Sequence, residues 1–261
     1  MKISIITVVY NRAATIERAI TSVLSQTYPN VEYLIIDGAS TDGTTEVVQS
    51  YKERVAVVLS EKDKGMYDAL NKGIRLATGD VVGILHADDE FANERVLEEV
   101  AAALAAHPQL DCVYGDVGFV QEDQPDKLVR YFSSSIFHKR LFRYGIMPAH
   151  PTFFCYRKYF EQHGVYRTDM DIAADFDLLL RFLKTHQLKS AYIPRMLVKM
   201  NMGGKSTRGL SSTIKINREL KQILKEHKIS SSYLHLYARY FIKVQEFWRK
   251  KTNNHTGNTQ L

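Results

Sequence analysis

Between Lys2 and Leu85 the chain alternates short runs of aliphatic and β-branched side chains with stretches of helical spacing, and few folds accommodate that order. Lys2 to Val9, Val31 to Ile36, Val55 to Leu59 and Val81 to Leu85 are too short for helices and read as buried strands. Ile16, Ala19, Ile20, Val23 and Leu24 recur at helical spacing from about Ala14, and Gln26-Thr27-Tyr28-Pro29-Asn30 closes that helix with a proline. A second helix runs to Tyr51 behind Asp42, which is placed to cap it. The polar loop beginning at Glu61 feeds a third helix that ends near Thr78. This alternation predicts an α/β protein with a mostly parallel central sheet, right-handed crossovers and helices on both faces.

Ligands bind open sheets of this kind at the carboxyl ends of the strands, where loops open a crevice. The central run Val81 to Leu85 reaches that edge and stops in His86-Ala87-Asp88-Asp89-Glu90. Strand-end acids suit Mg²⁺ or Mn²⁺, which take one or two carboxylates and keep water and substrate phosphates in their remaining positions. No G-x-G-x-x-G follows the first strand and no G-x-x-x-x-G-K-[ST] occurs, so a dinucleotide fingerprint and a P-loop are both excluded. Asp88 and Asp89 also fit a plainer role, capping the helix expected from about Asn93 to Ala106.

The second part of the chain reads as a strand from Asp111 to Val120 and an amphipathic one around Lys127 to Phe132, an antiparallel addition of the kind mixed sheets acquire. His150 opens a further strand through Tyr156, followed by a short helix over Lys158 to His163. A helix over Leu178 to Leu183 has an acidic approach containing Asp175 and Asp177, favoured there by the helix dipole. Ser190 to Met200 is the last strand, and Asn201 to Thr207 is a polar loop suited to a lid. Amphipathic helices are expected over Leu210 to Lys228 and Tyr233 to Lys250, with a disordered tail beyond Thr252. The net charge of +6 is concentrated after Lys184, which calls for an anionic partner or a solvated helical face. Cys112 and Cys155 lie in apolar runs without metal or disulfide spacing, and no signal-peptide pattern or membrane-length apolar run is present, so a cytoplasmic protein is expected.

With these pieces in order, the chain resembles the family 2 glycosyltransferases of the GT-A (Rossmann-like) fold, over roughly its first two hundred residues. Ser4 to Asn11 is similar to the family's opening strand, Ser25-Gln26-Thr27-Tyr28 to its helix end, and Ile36 to Gly43 to its second strand-end motif. Asp63 to Gly73 resembles a segment with further nucleotide contacts, His86 to Asp89 stands in the place of the metal-binding acids, and Ala174-Asp175 in that of the catalytic base. The resemblance implies a GT-A catalytic domain over 1–208, with a nucleotide-sugar half at 1–110 and an acceptor half at 111–208. It leaves a helical extension at 209–251 and a tail at 252–261.

The implied site is residue-specific. Thr7, Tyr10, Asn11, Asp37, Lys64, Asp68, His86 and Asp89 would meet the donor, Asp88 would ligate Mn²⁺ or Mg²⁺, and Asp175 would be the general base of an inverting, hexosyltransferase-type reaction. Three departures stand out. Gly38 follows Asp37 where the family often has a second acid, which leaves the nucleotide open between UDP and GDP. His86 replaces the first acid of D-x-D, and either contacts ribose or phosphate or merely packs. Ala174 replaces the Glu of a common Glu-Asp pair, and Asp175 alone fits a helix cap as well as a base. The Q-x-x-R-W motif of processive synthases is absent, which implies one sugar per visit.

The implied partners are a nucleoside diphosphate sugar and a glycan or lipid-linked acceptor of a bacterial envelope. Arg239, Lys243, Arg249, Lys250 and Lys251, interleaved with Tyr237, Tyr240, Phe241, Phe247 and Trp248, would meet the inner membrane face or pack on the protein; no nucleic-acid motif accompanies them. Oligomeric state is left open. A nucleotidyltransferase would want a Gly-rich phosphate loop after the first strand, and a non-catalytic nucleotide- or glycan-binding module would follow if His86 abolished metal binding.

Overall fold

Strand β1 (Ile3–Val9) is buried at every position, which requires cover on both faces of the sheet around it. The computed structural model describes residues 1–121, 124–202 and 209–239. In it β1 pairs in parallel with β2 (Val31–Asp37) on one side and β4 (Val81–Ile84) on the other, and β2 pairs in parallel with β3 (Val57–Ser60). Helices α1 (Ile16–Leu24), α2 (Thr44–Ser50) and α3 (Met66–Leu76) make the crossovers. Because side chains alternate along a strand, Ile6, Val8, Leu34 and Ile36 pack with Leu70 and Ile74 of α3, while Ile3, Ile5, Val9, Tyr33 and Ile35 pack with Ile16 and Ile20 of α1. The α/β expectation, with helices on both faces of a mostly parallel sheet, holds.

The sheet then turns mixed. A two-residue strand, β5 (Glu90–Phe91), follows the acidic loop and precedes α4 (Val96–Ala106). β6 (Cys112–Gln121) and β7 (Gln124–Phe132) form the antiparallel pair expected. β8 (Phe154–Tyr156) joins β4 to β6 antiparallel to both, and Gly83 makes room for it, since a Cβ there would overlap the Phe154 ring. α5 (Lys158–His163) and α6 (Ala174–Leu180) follow, the latter prolonged by one wide turn over Arg181–Thr185. β9 (Ser190–Asn201) runs parallel to β6 and pairs with β5, giving the order β3-β2-β1-β4-β8-β6-β9-β5 with β7 beside β6. Helix α7 (Gly209–Glu226) sets Leu220, Ile223 and Leu224 into the same core as α3 and α6.

Three expectations are corrected. β5 intervenes before α4, which begins at Val96 instead of Asn93, so Asp88 and Asp89 do not cap that helix. His150 lies in a tight turn, His150–Thr152, and not in a strand, because Pro151 at the start of that turn lacks a backbone N–H. α6 begins at Ala174, which puts Asp175 inside its first turn and not on its approach. Residues 233–239 are helical as expected, whereas the loop at 203–208 and everything from Tyr240 onward, including Lys243, Arg249, Lys250 and Lys251, lie outside the described residues.

At the amino ends of the strands one carboxylate ties the parallel core together. Glu32 of β2 accepts hydrogen bonds from Lys2 Nζ at 2.7 Å, Ser4 Oγ at 2.5 Å, Thr78 N at 2.7 Å and Thr78 Oγ1 at 2.5 Å. Burial opposes its ionisation, but these donors outweigh burial and hold its pKa down at about 2. A folded-state pKa below the unfolded one stabilises the fold above the ordinary carboxylate pKa and ceases to do so as pH falls to the folded value. Glu32→Gln is therefore expected to cost about 1–3 kcal/mol at neutral pH. In urea titrations, the gap between wild type and variant should close as pH falls from 4.5 to about 2.

Candidate active site

β1, β2 and β4 all run out at one edge, and the loops there are laced to one another by side chains. Asn11 adopts the left-handed conformation (φ 51°), which Asn tolerates better than most residues. Its amide donates to Ser40 Oγ at 2.8 Å and its Oδ1 accepts from Thr41 N at 2.9 Å, which joins the β1 loop to the β2 loop. Asp37 is buried, with Oδ1 accepting from Ser40 Oγ and Oδ2 from Ser60 Oγ, both at 2.5 Å. It therefore shapes the crevice floor. Tyr10, 61% exposed, stands open at the mouth. Thr7 does not: it is fully buried on the α1 side of the sheet and accepts from Tyr33 Oη at 3.0 Å.

The departure at Gly38 has a spatial counterpart. A Cβ there would lie 2.5 Å from Asp63 Oδ2 and 3.3 Å from Tyr10 Cδ2, so the missing side chain makes room for a carboxylate from the β3–α3 loop. Asp63 Oδ1 accepts from Gly65 N at 2.7 Å, and Asp68 Oδ2 from Lys64 N at 3.0 Å, which orders that loop at the head of α3. The Lys64 side chain is exposed, and Lys72 Nζ stands 4.0 Å from Asp68 Oδ2.

After β4, the acids are held by β9. Pairing of Glu90 and Phe91 with Lys199 and Val198 brings up Asn201, whose Nδ2 donates to the Asp88 carbonyl at 2.7 Å and whose N donates to Asp89 Oδ1 at 3.2 Å. Asn201 was expected in a lid; it is instead the anchor of the acidic loop. Asp88 is partly exposed and Asp89 buried. Asp89 Oδ2 and Asn201 Oδ1 are buried oxygens with no hydrogen-bond partner among the described residues. Burial, with Asp88 and Glu90 adding to it, pushes the Asp89 carboxyl well up. Among the described residues no group of three or more His, Cys, Asp or Glu converges as a metal cage. The oxygen donors around Asp88 fit a hard cation that completes its shell with water and phosphate.

A bridge of rings leads from this loop to α6. His86 lies 6.3 Å from His150, and His150 Nε2 is 2.7 Å from Tyr166 Oη. Burial pushes both imidazoles toward the neutral form, His150 to about 3 with His86 adding to the effect, while Asp88 opposes the fall at His86. Tyr166 stacks on Tyr67 with ring centroids 5.8 Å apart, and Tyr67 Oη donates to the Ile172 carbonyl at 2.5 Å. Beyond them stands Asp175, partly exposed, with Oδ1 accepting from Phe176 N at 2.7 Å. Burial raises its pKa to about 7 against its backbone hydrogen bonds, with the charge of Glu219 adding to the rise. Asp177, read from the sequence as part of an acidic helix approach, is only 2% exposed and sits among Arg181 (3.2 Å), His227 (3.2 Å) and Arg167 (3.7 Å).

The crevice thus holds an open aromatic ring, loops fixed by carboxylates, an acid loop with unmet acceptors and a carboxyl tuned near neutrality. Residues 4–164 match the model of Glycosyl transferase family 2, and the chain belongs to that family and has its GT-A fold. It is 30% identical over 223 residues to a PGL/p-HBAD biosynthesis glycosyltransferase of Mycobacterium bovis, covering 84% of this chain and 83% of the relative. It is 32% identical over 120 residues to the putative teichuronic acid biosynthesis glycosyltransferase TuaG of Bacillus subtilis, covering 45% of this chain and 46% of that one. In fold it is similar to S. aureus TarS 1-349 in complex with UDP, with TM-score 0.66, 18% identity and 86% of this chain covered. It is also similar to the mannosyltransferase PcManGT of Pyrobaculum calidifontis in complex with GDP-Man and Mn²⁺, with TM-score 0.63, 23% identity and 88% covered. The chain spans 65% of the length of each of these two structures.

Two aspartates two residues apart, Asp175 and Asp177, should respond oppositely to amidation. Asp177→Asn leaves its cations without their anion and is expected to cost about 3–5 kcal/mol. Burial opposes ionisation of Asp177, but the hydrogen bond from His227 and the charges of Arg181 and Arg167 hold its pKa down, so this loss belongs above the ordinary carboxylate range. Asp175 has a raised folded-state pKa, so wild type loses stability as pH rises from about 4 to about 7. Asp175→Asn should remove that fall. Thermal melts of both variants from pH 4 to 8 provide the check.

Proposed function

We propose that this protein is a metal-dependent, inverting glycosyltransferase that moves one sugar from a UDP- or GDP-linked donor to a hydroxyl of a glycan or lipid-linked acceptor. The observation that carries this reading is Asp175, a carboxyl with pKa about 7 at the far end of a ring bridge from the Asp88 loop. A general base works best with a pKa near the operating pH, and a positioned carboxylate contributes about 10²–10⁴-fold in rate.

The geometry supports the following roles. Tyr10 offers a face for the nucleobase, with the Asp63 carboxylate beside it, and the Asn11, Asp37 and Ser40 network keeps that wall in shape. Asp88 would hold Mn²⁺ or Mg²⁺ with Asp89 and Asn201 around it, and the ion would supply positive charge to the leaving diphosphate. Lys64, exposed on the adjoining loop, adds positive charge on the same side. Asp175 accepts the proton of the acceptor hydroxyl as its oxygen bonds to the anomeric carbon. The bond from that carbon to the diphosphate breaks on the opposite face, and the configuration inverts. Neutral His86 and His150 stand between the two functions without adding charge to either.

Glycoconjugate assembly is the setting that the names of the mycobacterial and Bacillus relatives support, and we place it on the cytoplasmic side of the envelope. A lipid-linked acceptor would bring the enzyme to the membrane face, and the exposed Tyr233, Leu234 and Tyr237 suit such a contact. Arg239 does not belong to that surface, being buried with Nη2 on Asn217 Oδ1 at 2.9 Å. Among the described residues no helix is long and apolar enough to cross a membrane.

Release of UDP or GDP from a panel of nucleotide sugars, with Mn²⁺, with Mg²⁺ and with chelator, tests the proposal. One donor should turn over in a chelator-sensitive way, with Asp175→Asn slower by about 10²–10⁴-fold and Asp88→Ala losing metal stimulation. Nucleotide binding without turnover of any donor, in the presence of glycan and lipid-linked acceptors, would instead favour a binding module.

A further inference from the structure

Three consecutive backbone amides just ahead of α6 point at a single carboxylate on a distant helix. Asp171 N donates to Glu219 Oε1 at 3.2 Å, and Ile172 N and Ala173 N donate to Glu219 Oε2 at 3.0 and 2.8 Å. Glu219 is 8% exposed and projects from α7, which is itself anchored by Leu220, Ile223 and Leu224 in the core. Amides at the start of a helix have no partner within it, so an external acceptor decides how rigidly that end is held. The opposite side of the same segment is held too, because Tyr67 Oη donates to the Ile172 carbonyl at 2.5 Å. Lys215, one turn before Glu219, pairs with Asp171 and adds a second tie to α7.

We infer that Glu219 is a positioning residue for the reaction: from α7 it clamps residues 171–173 and so sets where the Asp175 carboxyl stands at the head of α6. The inference rests on the reading of Asp175 as the base. It makes α7 part of the catalytic apparatus, although no atom of Glu219 need touch substrate. Misplacement of a catalytic group by about 1 Å can cost 10²-fold in rate, so a clamp of this kind acts on kcat more than on binding. Among the described residues, the titratable side chains facing Asp175 from other elements are Tyr67 of α3, Tyr166 and Glu219, with Lys215 and Asp171 next to Glu219. Both tyrosines are driven upward by burial and stay neutral, so Glu219 is the anion whose removal Asp175 would register.

The test is Glu219→Gln in the full chain, with Asp175→Asn and Glu226→Gln alongside, using whichever UDP- or GDP-sugar turns over in the panel. Expected for Glu219→Gln are a kcat lower by about 10–100-fold and unchanged UDP or GDP affinity by calorimetry. The acid limb of the kcat profile should shift to lower pH, and amide exchange over 171–173 should quicken. Glu226, which lies on the same helix as Glu219 and pairs with Arg167 of the loop before α6, should be replaceable with wild-type kcat. Wild-type kcat and pH profile in Glu219→Gln, while Asp175→Asn is inactive, would overturn the positioning role and leave the base assignment standing. An active Asp175→Asn would bring down that assignment and this inference with it. Should Glu219→Gln fail to fold, Glu219→Asp keeps the charge but shortens the reach. It should lower kcat with the acid limb unmoved, and wild-type kcat there would also overturn the inference.

Discussion

A strand buried at every position can carry polar chemistry only at its ends, and β1 imposes that constraint on its neighbours. With both faces covered by α1 and α3, the parallel core admits charge at the amino edge, where Glu32 knots β1, β2 and the turn before β4, and at the carboxyl edge, where the crevice opens. The two ends differ in what their carboxylates have left to offer. Glu32 is saturated by donors and serves cohesion. Asp89 keeps a buried oxygen without a partner among the described residues, an arrangement that is unfavourable unless a further donor or ligand meets it.

The same distinction sorts the remaining acids. Asp37 is enclosed by Ser40 and Ser60, and Asp116 of β6 by Tyr131 Oη at 2.6 Å, Tyr192 Oη at 2.8 Å and Ser134 N at 2.7 Å. Both hold loops in place. Asp175 accepts only local backbone amides, and its burial outweighs them, which is the condition that moves a carboxyl toward neutral pH. The candidate site draws on the acids whose hydrogen bonding is incomplete.

How much of this was legible depended on range. The four parallel strands could be read because their periodicity is local, and the acid loop because it ends the most apolar of them. β5 could not, since two residues have no pattern and become a strand only through β9. Thr7 was assigned from a motif, which gives position along a strand without its face, and the alternation of Ile3, Ile5 and Val9 places it on the α1 side. Asp63 was named only as part of a segment, and its approach to Gly38 depends on the absence of one Cβ. Glu219 was invisible, being one acid in a charge-rich helix, and its partners are backbone amides that no sequence pattern marks.

Asp175 and Asp177 bring these threads together. They lie on one turn of one helix and were assigned different roles by motif position, yet their chemistry is set by what other elements bring to them. Arg167 and Arg181 come from the chain around α6 to neutralise Asp177, and His227, just past the end of α7, hydrogen-bonds its Oδ1 at 3.2 Å. α7 also sends Glu219 toward Asp175, an anion whose charge adds to the rise of that carboxyl. The α7 end thus fastens itself to α6 through Asp177 and raises the basicity of Asp175. The 209–226 segment is part of the site's electrostatics, and a catalytic unit cut at 208 would lose both effects together.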